Sequence, residues 1–262
     1  MSLDSVDFTI IGPALVAGIL VLATHVPMGR EVLNRGIIFI DLAIAQVAGM
    51  GVIAADTFHL GASHGWTVQA AAGIAALIGA LLLTWTERKF PDIQEALIGV
   101  LFALAATGSI LLLANNPQGG EHLKDLLVGQ ILWVSYASLM PVAVLYALIL
   151  AAWFGLRWRI GRIGFYVLFA LMVTASVQLV GVYLVFASLI VPALGARGLP
   201  EKRGLAAAFV LGVIGYAIGL ILSTVFDLPS GALIVWCLAG LAIIMGLVRK
   251  FLPVTDALEA HA

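Results

Sequence analysis

The sequence predicts an all-α protein whose helices cross a membrane. Of its 262 residues, 63% are hydrophobic and 10% are charged, and the mean hydropathy is +1.14. A soluble domain is nearer half apolar and a quarter charged. A chain this apolar needs lipid to solvate it, which excludes a soluble enzyme. The net charge of −1, with scattered basic residues, excludes a nucleic-acid-binding protein.

Long apolar stretches define the expected membrane spans, since a helix needs about 20 mostly apolar residues to cross a bilayer. Such stretches lie near 8–26, 36–55, 67–85, 96–114, 137–155, 205–225 and 231–248. The apolar stretch between Arg162 and Arg197 is too long for one straight span and short for two full ones. Gly181 near its middle predicts a full helix over 163–180, followed by a shorter returning helix over 182–194.

The distribution of cations predicts how these helices are oriented. All Lys and Arg residues except Lys124 lie in the connections 27–35, 86–94, 156–162, 196–204 and 249–253. The positive-inside rule places these connections in the cytoplasm, with the N-terminus outside and the C-terminus inside. This orientation needs an odd number of crossings and favours nine. One unbroken helix over 163–194 would give eight and leave Arg197, Lys202 and Arg203 outside, so the sequence predicts eight or nine transmembrane helices.

Residues 1–262 are expected to form a single transmembrane domain, because the connections between the spans are short. They contain no GxxxxGK[ST] phosphate-binding loop, so the chain is not expected to hydrolyse ATP. The segment 192–204, PALGARGLPEKRG, is charged, contains prolines and separates two apolar helices. A turn of helix there would lie flat on the cytoplasmic face and suit docking to a soluble partner. A plain connector is the alternative.

Polar residues inside membrane spans are costly, and each is a candidate functional residue. Asp41 stands near the start of the second span, and Gln46 follows it in the same helix. A helix turns roughly 100° per residue, so Gln46 is expected about 140° from Asp41 and need not share its face. Two interpretations of Asp41 stay open. It pairs with Arg35 near the headgroups, or it serves the translocation path or the packing of subunits.

Other polar residues give weaker indications. Ser176 and Gln178 lie beside the expected break at Gly181. There they either line a permeation path or satisfy the free backbone groups of the broken helix. His59 and His64 flank a predicted external loop. Imidazole suits zinc and the late transition metals, so a metal site is one interpretation, and a pair of solvated loop histidines is the other.

Motifs in several segments follow an order that matches one family of transport proteins. The segments are EALIGVLFALAATGSILLL over 95–113, DLLVGQILWVS over 125–135, QLVGVYLVFASLIVPALGAR over 178–197 and DLPSG over 227–231. Together they resemble the permease subunits of bacterial ABC importers for zinc, manganese and iron. Their order and spacing agree with that family over roughly residues 10–250.

The resemblance implies a multi-pass protein of the bacterial inner membrane that forms a homodimer around one central path. It implies that the chain is a transport subunit with no cofactor of its own, because a separate cytoplasmic subunit binds ATP and magnesium. An extracytoplasmic metal-binding protein would deliver the substrate. The ATPase would dock on a coupling segment within 192–204, where the candidate residues are Pro192, Arg197, Glu201, Lys202 and Arg203.

One position departs from the family pattern. The second span of the family commonly reads Gly-Asp-x-x-x-His, and that Asp and His are associated with metal coordination. Here Ile40 precedes Asp41, and Ala45 stands where the His is expected, followed by Gln46. Only Asp41 therefore carries over. We expect a divalent transition metal as the substrate, zinc first and manganese or iron next, held briefly by Asp41 and carbonyl groups.

Two other classes of protein compete with this interpretation. A secondary transporter driven by an ion gradient needs more than one titratable group at mid-membrane, and the sequence offers only Asp41, near one end of its span. An intramembrane enzyme needs a nucleophile and a base, or a histidine-rich metal set, within the spans. All five histidines lie outside the predicted spans or at their ends.

Overall fold

Ten α-helices account for most of the chain in a computed structural model that describes residues 8–58, 65–114, 116, 119–156 and 159–251. They are α1 (Phe8–Arg35), α2 (Ile40–Thr57), α3 (Gly65–Lys89), α4 (Gln94–Leu113), α5 (Gly119–Val128), α6 (Tyr136–Gly155), α7 (Arg162–Val180), α8 (Val182–Gly195), α9 (Glu201–Phe226) and α10 (Ser230–Phe251). Short 3-10 turns at Pro91–Ile93 and Ile131–Trp133 precede α4 and α6. The predicted all-α fold is confirmed.

Eight of these helices are long and apolar enough to cross a membrane, and α8 is a shorter apolar helix of 14 residues. The helix boundaries follow the predicted spans closely, with one clear difference in α1. This helix was expected to end near residue 26, but it continues to Arg35. Its last part keeps its apolar side chains buried, including Met28 and Val32, so packing extends the helix beyond the apolar run.

The predicted break between α7 and α8 occurs at Gly181, which has a φ of 79°. A Cβ atom at Gly181 would strike the backbone of Val128 and Gly129. Gly129 has a φ of 73°, and a Cβ atom there would strike the carbonyl group of Val180. Two glycine backbones therefore meet directly, and the end of α5 covers the point where the chain reverses.

Contacts at the helix ends show that α8 runs from one end of the helical bundle to the other. At its start, Gly181 contacts Gly129, on the side where Gly231, at the start of α10, approaches the carbonyl group of Val128. At its end, the carbonyl group of Gly195 accepts a hydrogen bond from Arg249, near the end of α10. Within the described residues, the eight helices long enough to cross a membrane and α8 thus make nine passes along the bundle, although α8 is only about 21 Å long.

The interior of the bundle is formed by α1, α2, α7 and α8. More than half of the apolar stretch of α1, α2 and α7 is buried, whereas less than a quarter is buried in α4, α6 and α10. Most side chains of α8 are buried as well. The outer helices instead expose large apolar side chains such as Leu104, Leu148 and Trp236, which lipid or another apolar protein surface must cover.

Substituting Gly129 or Gly181 by Ala should destabilise the protein by about 2 kcal/mol or more, because the new Cβ meets backbone atoms and the left-handed conformation disfavours a side chain. Gly99→Ala is the matched control, since a Cβ at this helical position meets nothing within 4 Å. Thermal unfolding in detergent measures the effect. Equal midpoints for all three variants would show that the contact between Gly129 and Gly181 contributes nothing to stability.

Candidate functional site

Asp41 is a buried carboxylate without a counterion. It lies in the first turn of α2 and is 1% exposed, and neither carboxylate oxygen has a hydrogen-bonding partner among the residues that the structure describes. Arg35, the partner that the sequence suggested, instead forms an ion pair with Glu31 at 2.7 Å. Its guanidinium also lies 4.3 Å from the ring centre of Phe165. The interpretation in which Arg35 neutralises Asp41 is therefore wrong.

Glu95 holds the start of the helix that carries Asp41. Its Oε1 atom accepts a hydrogen bond of 3.2 Å from the backbone amide of Phe39, the residue before α2. The ring of Phe39 is stacked parallel to that of Phe186 in α8, with centroids 6.3 Å apart. In the sequence, Glu95 stood out only as part of a motif, and its hydrogen bond to Phe39 was not predicted. Its position as an acidic residue in the first turn of a membrane helix was the signal that could have indicated a specific partner.

Gln46 does not join Asp41 in one site on α2. Both side chains are buried, and Oε1 of Gln46 has no hydrogen-bonding partner in the described part of the chain. Five residues turn a helix by about 140°, so the two side chains leave α2 in different directions. The face of α2 within about 40° of Asp41 instead carries Ala45, Ala48 and Val52. A stripe of small side chains thus runs from Asp41 toward the other end of the membrane.

A polar cleft lies at the far end of this stripe, and we define it by Asp125, Gln130, Thr174 and Gln178. Ala48, Gly49 and Val52 of α2 form its wall, and its volume is about 240 Å³. Gln130, Thr174 and Gln178 also line an adjoining cleft of about 520 Å³ together with Gln69 and Ser138. Of these residues only Gln178 was a candidate from the sequence. Asp125 and Gln130 stood there within the motif over 125–135, and Thr174, Gln69 and Ser138 belong to no motif.

Ser176 and Gln178 do not act together, although they are close in the sequence. Gln178 is exposed and lines both clefts. Ser176 is fully buried, donates a hydrogen bond of 2.8 Å to the carbonyl of Met172 and forms a second with the hydroxyl of Tyr146. Because its hydroxyl is occupied inside the helix packing, Ser176 does not present a polar group to the clefts.

The described residues contain no group of three or more His, Cys, Asp or Glu side chains that could hold a metal ion. His59 and His64, the candidate ligands from the sequence, lie outside the described residues. His25 is fully buried within α1 because this helix continues to Arg35. Its Nδ1 atom donates a hydrogen bond of 2.9 Å to the carbonyl oxygen of Val21. Its Nε2 atom has no hydrogen-bonding partner among the described residues.

The candidate coupling segment 192–204 is a tight link rather than a separate helix. Pro192 lies inside α8 and is buried, and residues 196–200 alone connect α8 to α9. Arg30 supports the link from α1 by donating to the carbonyl groups of Leu199 and Glu201. The remaining candidates have exposed side chains, and these are Arg197, Glu201, Lys202 and Arg203.

The fold and these sites define a polytopic membrane transport protein with a buried acidic residue and no described catalytic centre. A sequence profile of the ABC 3 transport family matches residues 7–249, so the chain belongs to that family. It is 28% identical over 252 residues to the manganese transport system membrane protein MntC of Halalkalibacterium halodurans, covering 87% of this chain and 84% of that protein. It is 23% identical to the high-affinity zinc uptake system membrane protein ZnuB of Haemophilus influenzae, covering 90% and 97%.

A similar fold occurs in PsaBC from Streptococcus pneumoniae, solved in complex with Fab. The matched chain has a TM-score of 0.75 at 21% sequence identity, covering 95% of this chain and 96% of that one. The likeness extends over nearly the whole of both chains. It therefore supports the description of the whole bundle, with its short helix α8, as one transmembrane architecture.

Replacing Glu95 by Ala should lower the free energy of unfolding by about 1 kcal/mol, because the amide of Phe39 loses its acceptor. Glu95→Gln is the matched control, since the amide oxygen of Gln can still accept this hydrogen bond. Thermal unfolding of both purified variants compares them directly. If the Gln variant is destabilised as much as the Ala variant, the hydrogen bond to Phe39 does not stabilise the start of α2.

Proposed function

We propose that this chain is the membrane-spanning permease subunit of an ATP-driven importer for a divalent transition metal. Membership of the ABC 3 transport family supports the class, and relatives of this chain are named as manganese, iron and zinc transport proteins. The observation that carries the proposal is Asp41, a buried carboxylate without a hydrogen-bonding partner among the described residues, at one end of a polar and small-residue route. A cation in transit would supply the missing charge.

The route consists of the polar cleft, the stripe of small side chains on α2, and Asp41. Amide and hydroxyl groups in the cleft replace part of the ion's hydration shell at the entrance. Ala45 and Ala48 are buried against neighbouring helices, so passage along the roughly 10 Å of α2 between the cleft and Asp41 requires those helices to move apart. Asp41 then provides two carboxylate oxygens before release. Few protein ligands mean weak binding, and weak binding permits rapid transit.

Manganese fits these donors better than zinc does. Carboxylate, carbonyl and water oxygens suit manganese, whereas zinc favours imidazole and thiolate ligands. The described route offers oxygen donors, and Ala45 stands where the family pattern has a histidine. The sequence alone ranked zinc first on the resemblance. The chemistry of the described side chains moves manganese ahead of zinc, with iron as the next candidate.

Two further subunits and a second copy of the chain complete the proposed importer. A cytoplasmic ATPase docks at the link between α8 and α9, where Lys202 and Arg203 are exposed. An extracytoplasmic binding protein delivers the metal at the end that carries the polar cleft. The cationic end of the bundle faces the cytoplasm of a bacterial cell, in agreement with the positive-inside rule.

Asp41→Asn should reduce metal uptake at least tenfold, because the neutral amide cannot balance the charge of a divalent ion. Folding should be retained, since the substitution preserves shape and removes a costly buried charge. Uptake of radioactive manganese and of zinc by cells lacking other importers measures the effect. Asp92→Asn, an exposed acidic residue in the turn before α4, is the matched control. Normal uptake by Asp41→Asn would remove this residue from the transport mechanism.

A tagged chain isolated in mild detergent should carry a Walker-motif ATPase in stoichiometric amount. Lys202→Glu with Arg203→Glu should release that ATPase, because both cations are exposed beside the proposed docking link. Arg88→Glu with Lys89→Glu is the matched control for charge, at the end of α3. Mass spectrometry identifies the co-purifying chains. If no ATPase follows the wild-type chain while a control importer stays intact, transport driven by an ion gradient replaces this proposal.

A further inference from the structure

A groove between α8 and α10 combines apolar walls with cations at one end. Its volume is about 600 Å³, and its walls include Leu194 of α8 with Ala242 and Ile243 of α10. Arg197, Arg249 and Lys250 also line it. Leu194 and Ile243 are 46% and 63% exposed. The groove is therefore an open surface feature with one charged end.

The three cations of the groove differ in what they already bind. Arg249 donates from Nη1 to the carbonyl groups of Gly195, at 3.2 Å, and Arg197, at 2.8 Å. This contact neutralises the negative end of α8, which would otherwise repel an anion. The side chains of Arg197 and Lys250 are exposed and form no ion pair within the described residues. Two positive charges thus remain available at the groove.

The length of the groove limits which molecules can fill it. It extends along α10 from Lys250 at least to Ala239, a distance of about 16 Å along the helix axis. A soluble protein docked at the cations would leave this apolar part uncovered. A second copy of the chain related by a two-fold axis along the membrane normal would place its own cations against these ones. An occupant with an anionic head and a long apolar body would match the cations at one end of the groove and the apolar walls along the rest of it.

We propose that the groove binds one anionic phospholipid from the cytoplasmic leaflet. Its phosphate accepts charge-assisted hydrogen bonds from Arg197 and Lys250. One acyl chain lies along the groove between α8 and α10, against Leu194 and Ile243. The site is separate from Asp41 and the polar cleft. It also lies beside the link between α8 and α9, so the bound lipid contacts the end of α8.

Native mass spectrometry of the full chain, purified with its co-purifying subunits, tests the charge requirement. The protein is offered equal amounts of phosphatidylglycerol and phosphatidylcholine of the same chain length. Arg197→Gln with Lys250→Gln should lower the retained phosphatidylglycerol about 25-fold, since each interfacial cation contributes roughly a fivefold factor. Arg88→Gln with Lys89→Gln is the control, because it removes the same charge at the end of α3.

A second pair of variants tests the groove without changing charge. A Cβ at Gly246 meets nothing within 4 Å, and this residue lines the groove, so Gly246→Leu fills the space without disturbing the helix packing. Gly240→Leu is the matched control: its Cβ also meets nothing within 4 Å, and six residues along α10 it points about 120° away. We expect Gly246→Leu to release the lipid and Gly240→Leu to retain it.

Several results would overturn the proposal. Equal retention of the two lipids by the wild-type chain would show that no anionic site exists. If the groove variant and the α3 control variant lose the same amount of phosphatidylglycerol, the effect is one of general surface charge and not of a specific site. Retention of phosphatidylglycerol in Gly246→Leu would place the lipid elsewhere. Release of the ATPase by Arg197→Gln with Lys250→Gln, with lipid retention unchanged, would assign the cations to protein docking. None of these results depends on metal uptake.

Discussion

The direct contact between the backbones of Gly129 and Gly181 determines how the rest of the bundle is arranged. Membranes exclude irregular backbone unless protein or water covers it, and the chain reverses direction at Gly181 between two apolar helices. Coverage comes from the end of α5, which can approach only because both positions lack a side chain. The reversal in turn makes α8 short and returns the chain to the cationic end of the bundle.

Most buried polar groups in the bundle have partners within it. Ser188 and Tyr216 share a hydrogen bond of 2.7 Å, and the amide of Gln94 donates to the carbonyl of Leu83 at 3.1 Å. These pairs join neighbouring helices at positions where an unsatisfied group would be costly. Asp41 is different, because its carboxylate is buried without a described partner. A buried ionisable group that lowers the stability of the fold is typical of a functional site.

The two ends of the molecule differ in the charge of their side chains. At one end, Arg30 of α1 and Arg249 of α10 both donate hydrogen bonds to carbonyl groups of the link between α8 and α9. Each contact satisfies backbone groups at the end of a membrane helix and fixes the link in place. At the other end, the polar side chains of the clefts are amides and hydroxyls, together with the carboxylate of Asp125. A cation meets less repulsion at that end, which fits the proposed entry there and the proposed docking of an ATPase at the cationic end.

Helix positions, the reversal at Gly181 and the clustering of cations were predictable from the sequence, because each depends on local apolarity or on residues with one strong preference. Length and hydropathy mark the membrane spans, and a glycine inside an apolar run marks the break. The segregation of Arg and Lys into alternate connections similarly predicted one cationic end. These properties need no knowledge of which helices are neighbours.

Tertiary structure alone decided which polar residues meet. The sequence placed Arg35 near Asp41, but in the packed bundle its guanidinium lies over the ring of Phe165 in α7 and pairs with Glu31, away from Asp41. It grouped Ser176 with Gln178, yet two residues on a helix differ by about 200° in direction, so one faces Tyr146 and the other the clefts. Helical periodicity defines directions around a single helix, whereas the neighbour in each direction depends on how all the helices pack.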